Sequence, residues 1–315
     1  MYLNATGYYI PQGRVDNKYF TTITGLEEDW FVKRTGMRTR SRASDEETID
    51  YMSLQAVNEA LVDLPYDYEE IDLIIFASYT PSDTIGTTGH IIQREFGMEK
   101  AKVFYLSSAC SSSVNAMEII QSFFKTGVSK KALMICAERN SSYSDDKDCQ
   151  SGHLWGDAAV AFFFSSESFS SKEAMLIDIT SQGLGHIGSG PVAVSMNPTE
   201  NGLQMPLGKE VFVHACNYIS QSTKNIVKRN GYSVDDLRYF IGHQANMRIL
   251  SRVGTELGVP SDKTLSNLEK YGNTGCASAP LVFAENYDKY ETGDLICLSI
   301  FGGGYSVGSC LFLIN

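Results

Sequence analysis

Residues Val103 to Thr126 read VFYLSSACSSSVNAMEIIQSFFKT, and the change of pattern inside this stretch decides the fold. A short apolar strand, Val103–Leu106, gives way to three small residues, Ser107, Ser108 and Ala109, and then to Cys110. Beyond it, Val114, Met117, Ile120, Phe123 and Phe124 recur at helical spacing. Gly127 supplies a helix stop. Cys110 therefore falls where a strand hands over to a helix. Unpaired N–H groups and the positive end of the helix dipole favour a thiolate there, and small neighbours leave a substrate room to reach the sulfur. A free cysteine is otherwise most often a buried packing residue. Position alone makes Cys110 a candidate nucleophile with that alternative open.

The same alternation continues on both sides. Tyr2–Tyr9 reads as a first strand. Ile71–Ala77 is apolar almost throughout, as a strand covered on both faces requires. A helix over Thr88–Phe96, stopped by Gly97, precedes the Cys110 unit. Strands at Ala132–Ala137 and Ala158–Phe164 follow it, with a polar loop over Arg139–His153 between them. Thr24-Gly25-Leu26-Glu27 has capping-box spacing and predicts a helix through Trp30 that ends before Gly36. Ser44-x-x-Glu47 predicts another, burying Ile49, Met52, Ala56, Val57, Ala60 and Leu61. The second half runs in a similar order. It has a strand at Met175–Thr180, an irregular stretch over Leu184–Pro206 and a long helix at Val211–Arg229. A strand at Tyr239–Gly242, helices at Asn246–Leu257 and Thr274–Tyr287, and strands at Asp294–Ile300 and Ser309–Ile314 complete it. The order repeats without sequence identity, so 1–170 and 171–315 read as two pseudo-repeated halves. Alternating strands and helices predict parallel sheets covered by helices. Two such halves stack into a layered α/β body with its active groups at strand C-terminal ends.

Bulk composition narrows the function. The 315 residues carry 26 Lys and Arg against 37 Asp and Glu, a net charge of −11. That argues against nucleic acid as a bulk partner and leaves a local basic site open. Seven cysteines, an odd number with no C-x-x-C pair, indicate neither a disulfide framework nor a zinc cluster, which fits a reducing cytoplasm. No apolar run approaches the roughly 18 residues of a spanning helix, so neither membrane segment nor signal peptide is expected. Lys33, Arg34, Arg38, Arg40 and Arg42 form a local basic run with no acid among them. It reads either as a solvated turn or as a phosphate site, since guanidinium forks suit phosphate oxygens.

Three further stretches carry chemistry. His243 leaves an apolar strand between Gly242 and the helix start at Asn246, a poor place for core packing and a good one for a titratable functional group. Asn273, in Tyr271-Gly272-Asn273-Thr274-Gly275, precedes a helix, where a turn or cap residue is the simpler reading. Phe301-Gly302-Gly303-Gly304 lies between two strands, so it is a tight turn able to aim N–H groups at a developing oxyanion. No Lys-Ser/Thr follows, so it is not a P-loop. The remaining histidines offer little support for a metal site.

With these stretches in hand, the chain resembles the β-ketoacyl-acyl carrier protein synthase III family of thiolase-like condensing enzymes over essentially its whole length. The segments that carry the resemblance are Trp30-Phe31-Val32-Lys33-Arg34-Thr35-Gly36-Met37-Arg38, Ala109-Cys110, His243 to Ile249, Gly272-Asn273-Thr274 and Phe301 to Tyr305. The resemblance implies a five-layered αβαβα fold, a homodimer, and a Cys110–His243–Asn273 triad. It implies an oxyanion hole from Cys110, Gly303 and Gly304. It implies coenzyme A contacts at Trp30, Arg34, Thr35, Arg38 and Asn246, with Trp30 stacking on the adenine. Arg248 and Arg252 become candidate carrier-protein docking residues. Two departures stand out. The loop Ser144–Gln150 holds only Lys147 where the family often has an Arg against the adenine. Ile85 stands where the family commonly has an aromatic residue reaching the partner's acyl pocket.

The resemblance implies decarboxylative Claisen condensation of an acyl-coenzyme A primer with malonyl-acyl carrier protein through acyl-Cys110, with no metal or redox cofactor. An acyltransferase handing the acyl group to an alcohol or amine is the alternative, distinguished by release of carbon dioxide from a malonyl thioester. A non-catalytic dimer partner would be marked by loss of the nucleophile, and Cys110 is present. Primer length and branching, the primer's carrier, and the pathway served are not readable from the residues.

Overall fold

Strands that are apolar on both faces need cover on both sides, and the chain provides it in layers. The computed structural model describes residues 1–315. The first half contains β1 (Tyr2–Tyr9), β2 (Gly13–Asp16), α1 (Asn17–Thr24), α2 (Glu28–Thr35), β3 (Thr39–Arg42), α3 (Ile49–Leu61), β4 (Leu73–Ala77), α4 (Thr88–Glu95), β5 (Lys102–Leu106), α5 (Ser112–Lys125), β6 (Lys131–Arg139) and β7 (Asp157–Ser165). The second contains β8 (Ala174–Gly183), α6 (Gly190–Ala193), β9 (Ser195–Asn197), β10 (Gly202–Gln204), α7 (Gly208–Arg229), β11 (Tyr239–Gly242), α8 (Met247–Leu257), α9 (Leu268–Tyr271), α10 (Ser278–Glu285), β12 (Leu295–Gly302) and β13 (Ser306–Ile314).

Nine strands form one continuous ladder, β11-β12-β13-β8-β1-β7-β6-β4-β5. Its two arms, β1-β7-β6-β4-β5 and β8-β13-β12-β11, share one order from the seam outward, and the first arm adds β5 at its edge. They join only where Tyr2 and Leu3 pair with Met175 and Ala174. Helices α5 and α10 touch strands of both arms and form the middle layer. α3 and α4 cover the outside of the first arm, and α7 with α8 covers the outside of the second. This is the expected five-layered arrangement.

Side-chain alternation builds the cores between these layers. On β4, Leu73, Ile75 and Ala77 face the middle while Ile74 and Phe76 face α3 and α4. On β12, Ile296, Leu298 and Ile300 face the middle while Leu295, Cys297 and Phe301 face α7 and α8. Val114, Met117 and Ile120 of α5 are fully buried in the middle core, on the stripe read from their spacing.

Several local expectations change. The arms are mixed rather than parallel. β4 runs parallel to β5 and β6, and β11 to β12, but β6–β7, β12–β13 and β8–β13 are antiparallel. Strands joined without a crossover helix must return antiparallel; Gly303–Tyr305 alone joins β12 to β13. Thr24 ends α1 rather than opening a helix, and α2 starts after Glu27 with no side-chain cap. The helix after Ser44 is capped by Thr48, whose hydroxyl accepts from Tyr51 N–H at 3.1 Å. Glu47 instead closes a turn, accepting Ser44 N–H at 2.8 Å and Tyr9 O–H at 2.7 Å. The span Thr274–Tyr287 divides into a 3₁₀ turn at Gly275–Ala277 and α10. β2, α1 and β3 had no periodic signature, being short and mostly polar.

Candidate active site

Cys110 lies two residues before α5, preceded by Ala109 in the left-handed region at φ 49°. That conformation is uncommon for a residue with a Cβ and marks a constrained elbow. The thiol is 7% exposed. Burial, with the nearby Glu138 carboxylate adding to it, pushes its pKa up to about 12. The helix-start position had suggested the opposite direction. Removal from water outweighs the helix end here, and the resting group is a thiol.

The second arm contributes from two equivalent places. Its second strand, β11, ends at Gly242 and is followed by His243, as β4 of the first arm ends at Ala77 and is followed by Ser78. Ile241 faces the middle layer, and the same alternation directs His243 there. The ring is buried, its Nδ1 has no protein partner, and burial lowers its pKa to about 4. The imidazole is therefore neutral at physiological pH. Gln244 fixes the loop, donating to Gly242 C=O at 2.7 Å and accepting from Ser266 Oγ at 2.7 Å.

Asn273 lies two residues before the 3₁₀ turn Gly275–Ala277 that leads into α10, as Cys110 lies two residues before α5. Its backbone is pinned to the loop after β6: its N–H donates to Leu154 C=O at 2.8 Å and its C=O accepts Gly156 N–H at 2.9 Å. Its Oδ1 accepts Gly275 N–H at 3.0 Å. That bond assigns the amide orientation and leaves Nδ2 as the outward donor.

The glycine turn closes on Cys110 from β12. A Cβ on Gly302 would come within 3.2 Å of the Cys110 nitrogen and 2.9 Å of the Ser111 nitrogen, so only glycine permits this approach. Ser306 Oγ meets Ser111 Oγ at 2.6 Å across the same contact. The N–H groups of Cys110, Gly303 and Gly304 have no protein acceptor. Unpaired backbone donors beside a buried sulfur are uncommon and chemically useful.

The basic run disperses. Lys33 pairs with Asp29, Arg38 with Glu269 and Arg42 with Asp146. Arg40 is fully buried, donating to His153 C=O at 2.6 Å and lying 4.9 Å over the Phe20 ring; burial lowers its pKa to about 10. Arg34 remains, 5.8 Å over the half-buried Trp30 ring. Trp30 also meets His153 edge to face at 5.3 Å. Thr35 is buried, its hydroxyl donating to Phe31 C=O at 2.7 Å. Asn246 caps α8 through Arg248 N–H at 2.9 Å and donates to Arg34 C=O at 3.2 Å, tying α8 to α2. Between α2, α7 and α8 lies a groove of about 640 Å³ lined by Lys33, Phe212, Met247, Arg248 and Arg252. Arg248 lies 5.5 Å over Phe212, and Arg252 is paired with Glu256 at 3.7 Å. Ile85 is 79% exposed, next to Gly86, which packs against Tyr105 of the edge strand β5.

Two residues absent from the sequence reading adjoin Cys110. Glu138 is fully buried on β6, and burial pushes its pKa up to about 7. Tyr79 lies buried in the turn after β4, its hydroxyl against Gly275. An acid at the end of an apolar strand was the available signal for Glu138. Tyr79 offered none, because a tyrosine in a loop carries no pattern.

Residues 104–183 match the model described as 3-oxoacyl-[acyl-carrier-protein (ACP)] synthase III, and residues 227–314 match its C-terminal counterpart. A β-ketoacyl-[acyl-carrier-protein] synthase III of Ehrlichia ruminantium (strain Welgevonden) is 32% identical, with 97% of this chain and 96% of the relative covered. The crystal structure of 3-oxoacyl-[acyl-carrier-protein] synthase III from Aquifex aeolicus VF5 superposes with a TM-score of 0.92 at 30% identity, covering 99% of both chains. The priming β-ketosynthase from the R1128 polyketide biosynthetic pathway superposes at 0.89 with 28% identity, over 99% of this chain and 95% of that one. Likeness that runs end to end in sequence and in shape makes this chain a member of the β-ketoacyl-[acyl-carrier-protein] synthase III family.

Proposed function

We propose that this protein condenses an acyl-coenzyme A primer with malonyl-acyl carrier protein, initiating fatty-acid or related polyketide synthesis. Cys110 takes the acyl group first. Its sulfur bonds to the thioester carbon, the carbon–sulfur bond to coenzyme A breaks, and the Cys110 proton ends on the departing thiol. The unpaired N–H groups of Cys110, Gly303 and Gly304 receive the oxyanion. Malonyl-acyl carrier protein then loses carbon dioxide, and the thioester oxygen of the resulting enolate accepts from neutral His243 and from Asn273 Nδ2. The enolate carbon attacks acyl-Cys110, forming the new carbon–carbon bond and releasing the thiolate. No step requires a metal or redox cofactor.

The observation that carries this reading is the pairing of a buried thiol beside unpaired amides with an asparagine amide held donor-outward by Gly275. The groove between α2, α7 and α8 suits the coenzyme A arm, with Trp30, Arg34 and Asn246 on the elements that border it and Arg248 with Arg252 on its wall as the carrier-protein contacts; Thr35 is buried and Arg38 is held by Glu269, so neither is free for that contact. We take the halves as 1–170 and 171–315, and the working unit as a homodimer. Exposed Ile85, and Phe104 at 45% exposure on the edge strand β5, suit a second copy that would border the acyl pocket. No helix is long and apolar enough to cross a membrane, and all seven cysteines are unpaired, which suits a cytoplasmic site. Incubation with acetyl-coenzyme A, followed by malonyl-acyl carrier protein, tests the scheme. An acetyl adduct at Cys110 by mass, then carbon dioxide and a 3-oxoacyl-carrier product, is expected. Acylation without any carbon dioxide release would favour transfer to an alcohol or amine.

A further inference from the structure

Asn140 is fully buried at the start of the 3₁₀ turn Asn140–Ser142, directly after β6. Its Nδ2 donates to Gly156 C=O at 2.8 Å and to Asn273 C=O at 3.3 Å. Both partners are carbonyls, so they assign the orientation of the amide. Asn273 C=O also accepts Gly156 N–H at 2.9 Å, and Asn273 N–H donates to Leu154 C=O at 2.8 Å. The backbone of this second-arm residue is thus stitched to the first arm, as a single parallel bridge opposite Trp155. Asn140 is the only side chain among these bonds. Gly156 N–H takes one lone pair of the Asn273 carbonyl and Asn140 the other, which fixes the tilt of that peptide plane as well as its distance.

The side chain of Asn273 is seated on the first arm as well. Its Oδ1 is held by Gly275 N–H at 3.0 Å. Gly275 has a φ of 61°, and a Cβ there would come within 2.8 Å of Glu138 Cγ and 2.4 Å of the Tyr79 hydroxyl. Only glycine fits that seat. Glu138 is itself fixed, accepting from Ser78 Oγ at 3.2 Å, Tyr79 N–H at 3.3 Å, Thr80 N–H at 3.1 Å and Thr80 Oγ1 at 2.5 Å. Glu138 and Asn140 stand two residues apart where β6 ends. The first bears on the turn that holds the Asn273 side chain, and the second holds the Asn273 backbone.

We infer that Asn140 is a positioning residue for the condensation: by fixing the Asn273–Thr274 peptide, it directs the Asn273 Nδ2 donor toward the enolate oxygen. That peptide leads through Thr274 to Gly275, so its tilt sets where the Gly275 N–H meets Asn273 Oδ1. A buried side-chain amide costs stability unless its bonds are made, and this one makes two with its nitrogen. Its effect on turnover rests on the enolate role proposed above for Asn273; its hold on Asn273 does not.

Asn140→Leu tests this by keeping a branched side chain and removing the donor. Two measurements are made on the whole chain. The first needs no substrate. With nitrogen-15 supplied in asparagine, the Asn273 side-chain amide signal is identified by its loss in Asn273→Ala. In Asn140→Leu that signal should shift, and its exchange with water should quicken by about tenfold or more as the local structure opens. A signal left in place overturns the inference. The second measurement separates the half-reactions. The kcat for carbon dioxide release from malonyl-acyl carrier protein should fall by about tenfold to a hundredfold, as for a misplacement of about 1 Å, with KM little changed. Acetylation of Cys110 by acetyl-coenzyme A should keep its rate. A merely structural role would slow both half-reactions alike or neither, and either result overturns the inference. Should Asn140→Leu fail to fold, Asn140→Ala removes the donor without bulk and takes the same two measurements. If the wild-type protein releases no carbon dioxide, the condensation reading falls, while the amide signal still decides whether Asn140 holds Asn273.

Discussion

Before its middle-layer helix the first arm carries a thiol, Cys110; at the same place the second arm carries an amide, Asn273. After the second strand the first arm carries the Tyr79 turn, and the second carries His243. One backbone plan has received two chemistries. The first arm brings a buried thiol beside unpaired backbone donors. The second arm's groups are neutral donors, a lowered-pKa imidazole and an oriented amide. The difference teaches that the proposed half-reactions divide between the arms: acyl capture in the first, enolate stabilisation in the second.

Removing groups arm by arm breaks this division most strongly. Cys110→Ala should abolish acylation, at least about a thousandfold, while some decarboxylation of the malonyl thioester persists. His243→Ala and Asn273→Ala should invert that pattern. Acyl-Cys110 still appears by intact mass, and carbon dioxide release falls by roughly 3–4 kcal/mol of barrier for each lost donor. Should Asn273→Ala block acylation as fully as Cys110→Ala, the arms do not divide the work.

The pH response sharpens the contrast without mutation. With the Cys110 thiol held up to about 12, thiolate grows with pH through the neutral range. Acylation should therefore rise by up to about tenfold per pH unit. His243, held down at about 4 by burial, is already neutral across that range. Carbon dioxide release, measured separately with malonyl thioester, should show no inflection near the ordinary histidine value of about 6.5. An inflection there would mean that the ring is solvated when the substrate is bound.

Charge at the groove gives the smallest effect. Arg248→Glu should slow the carrier-protein step by about tenfold and flatten its salt dependence, since surface charge acts mainly on encounter. Acylation from a small thioester, which needs no carrier contact, serves as the control. Equal losses in both steps would remove Arg248 from docking.

Much of the fold was legible because its signals are local. Val103–Leu106 followed by the Cys110 helix, the apolar run at Ile71–Ala77, and the repeated order of elements all depend on neighbours within a few residues, and the fold retains them. The capping boxes were misread for the same reason in reverse. Thr24 and Ser44 have suitable spacing, but where a helix starts was decided by packing of α1 and by the pull of Tyr9 and Gln12 on Glu47.

The sequence alone determined the alternation of strand and helix, the two-part order, and the placing of Cys110, His243 and Asn273 at element ends, since periodicity and turn chemistry are written over short spans. Tertiary structure alone decided the rest. Of five arginines and lysines close in sequence, Arg38 and Arg42 met acids from distant segments, Arg40 was buried and Arg34 settled over an aromatic ring, while only Lys33 found its acid on its own helix. The cysteine expected to be acidic became a protonated thiol, because burial between two arms costs a charge more than the helix end returns. The turn after β4 took its shape because Glu138, 59 residues beyond Tyr79 along the chain, gathers its N–H and hydroxyl donors.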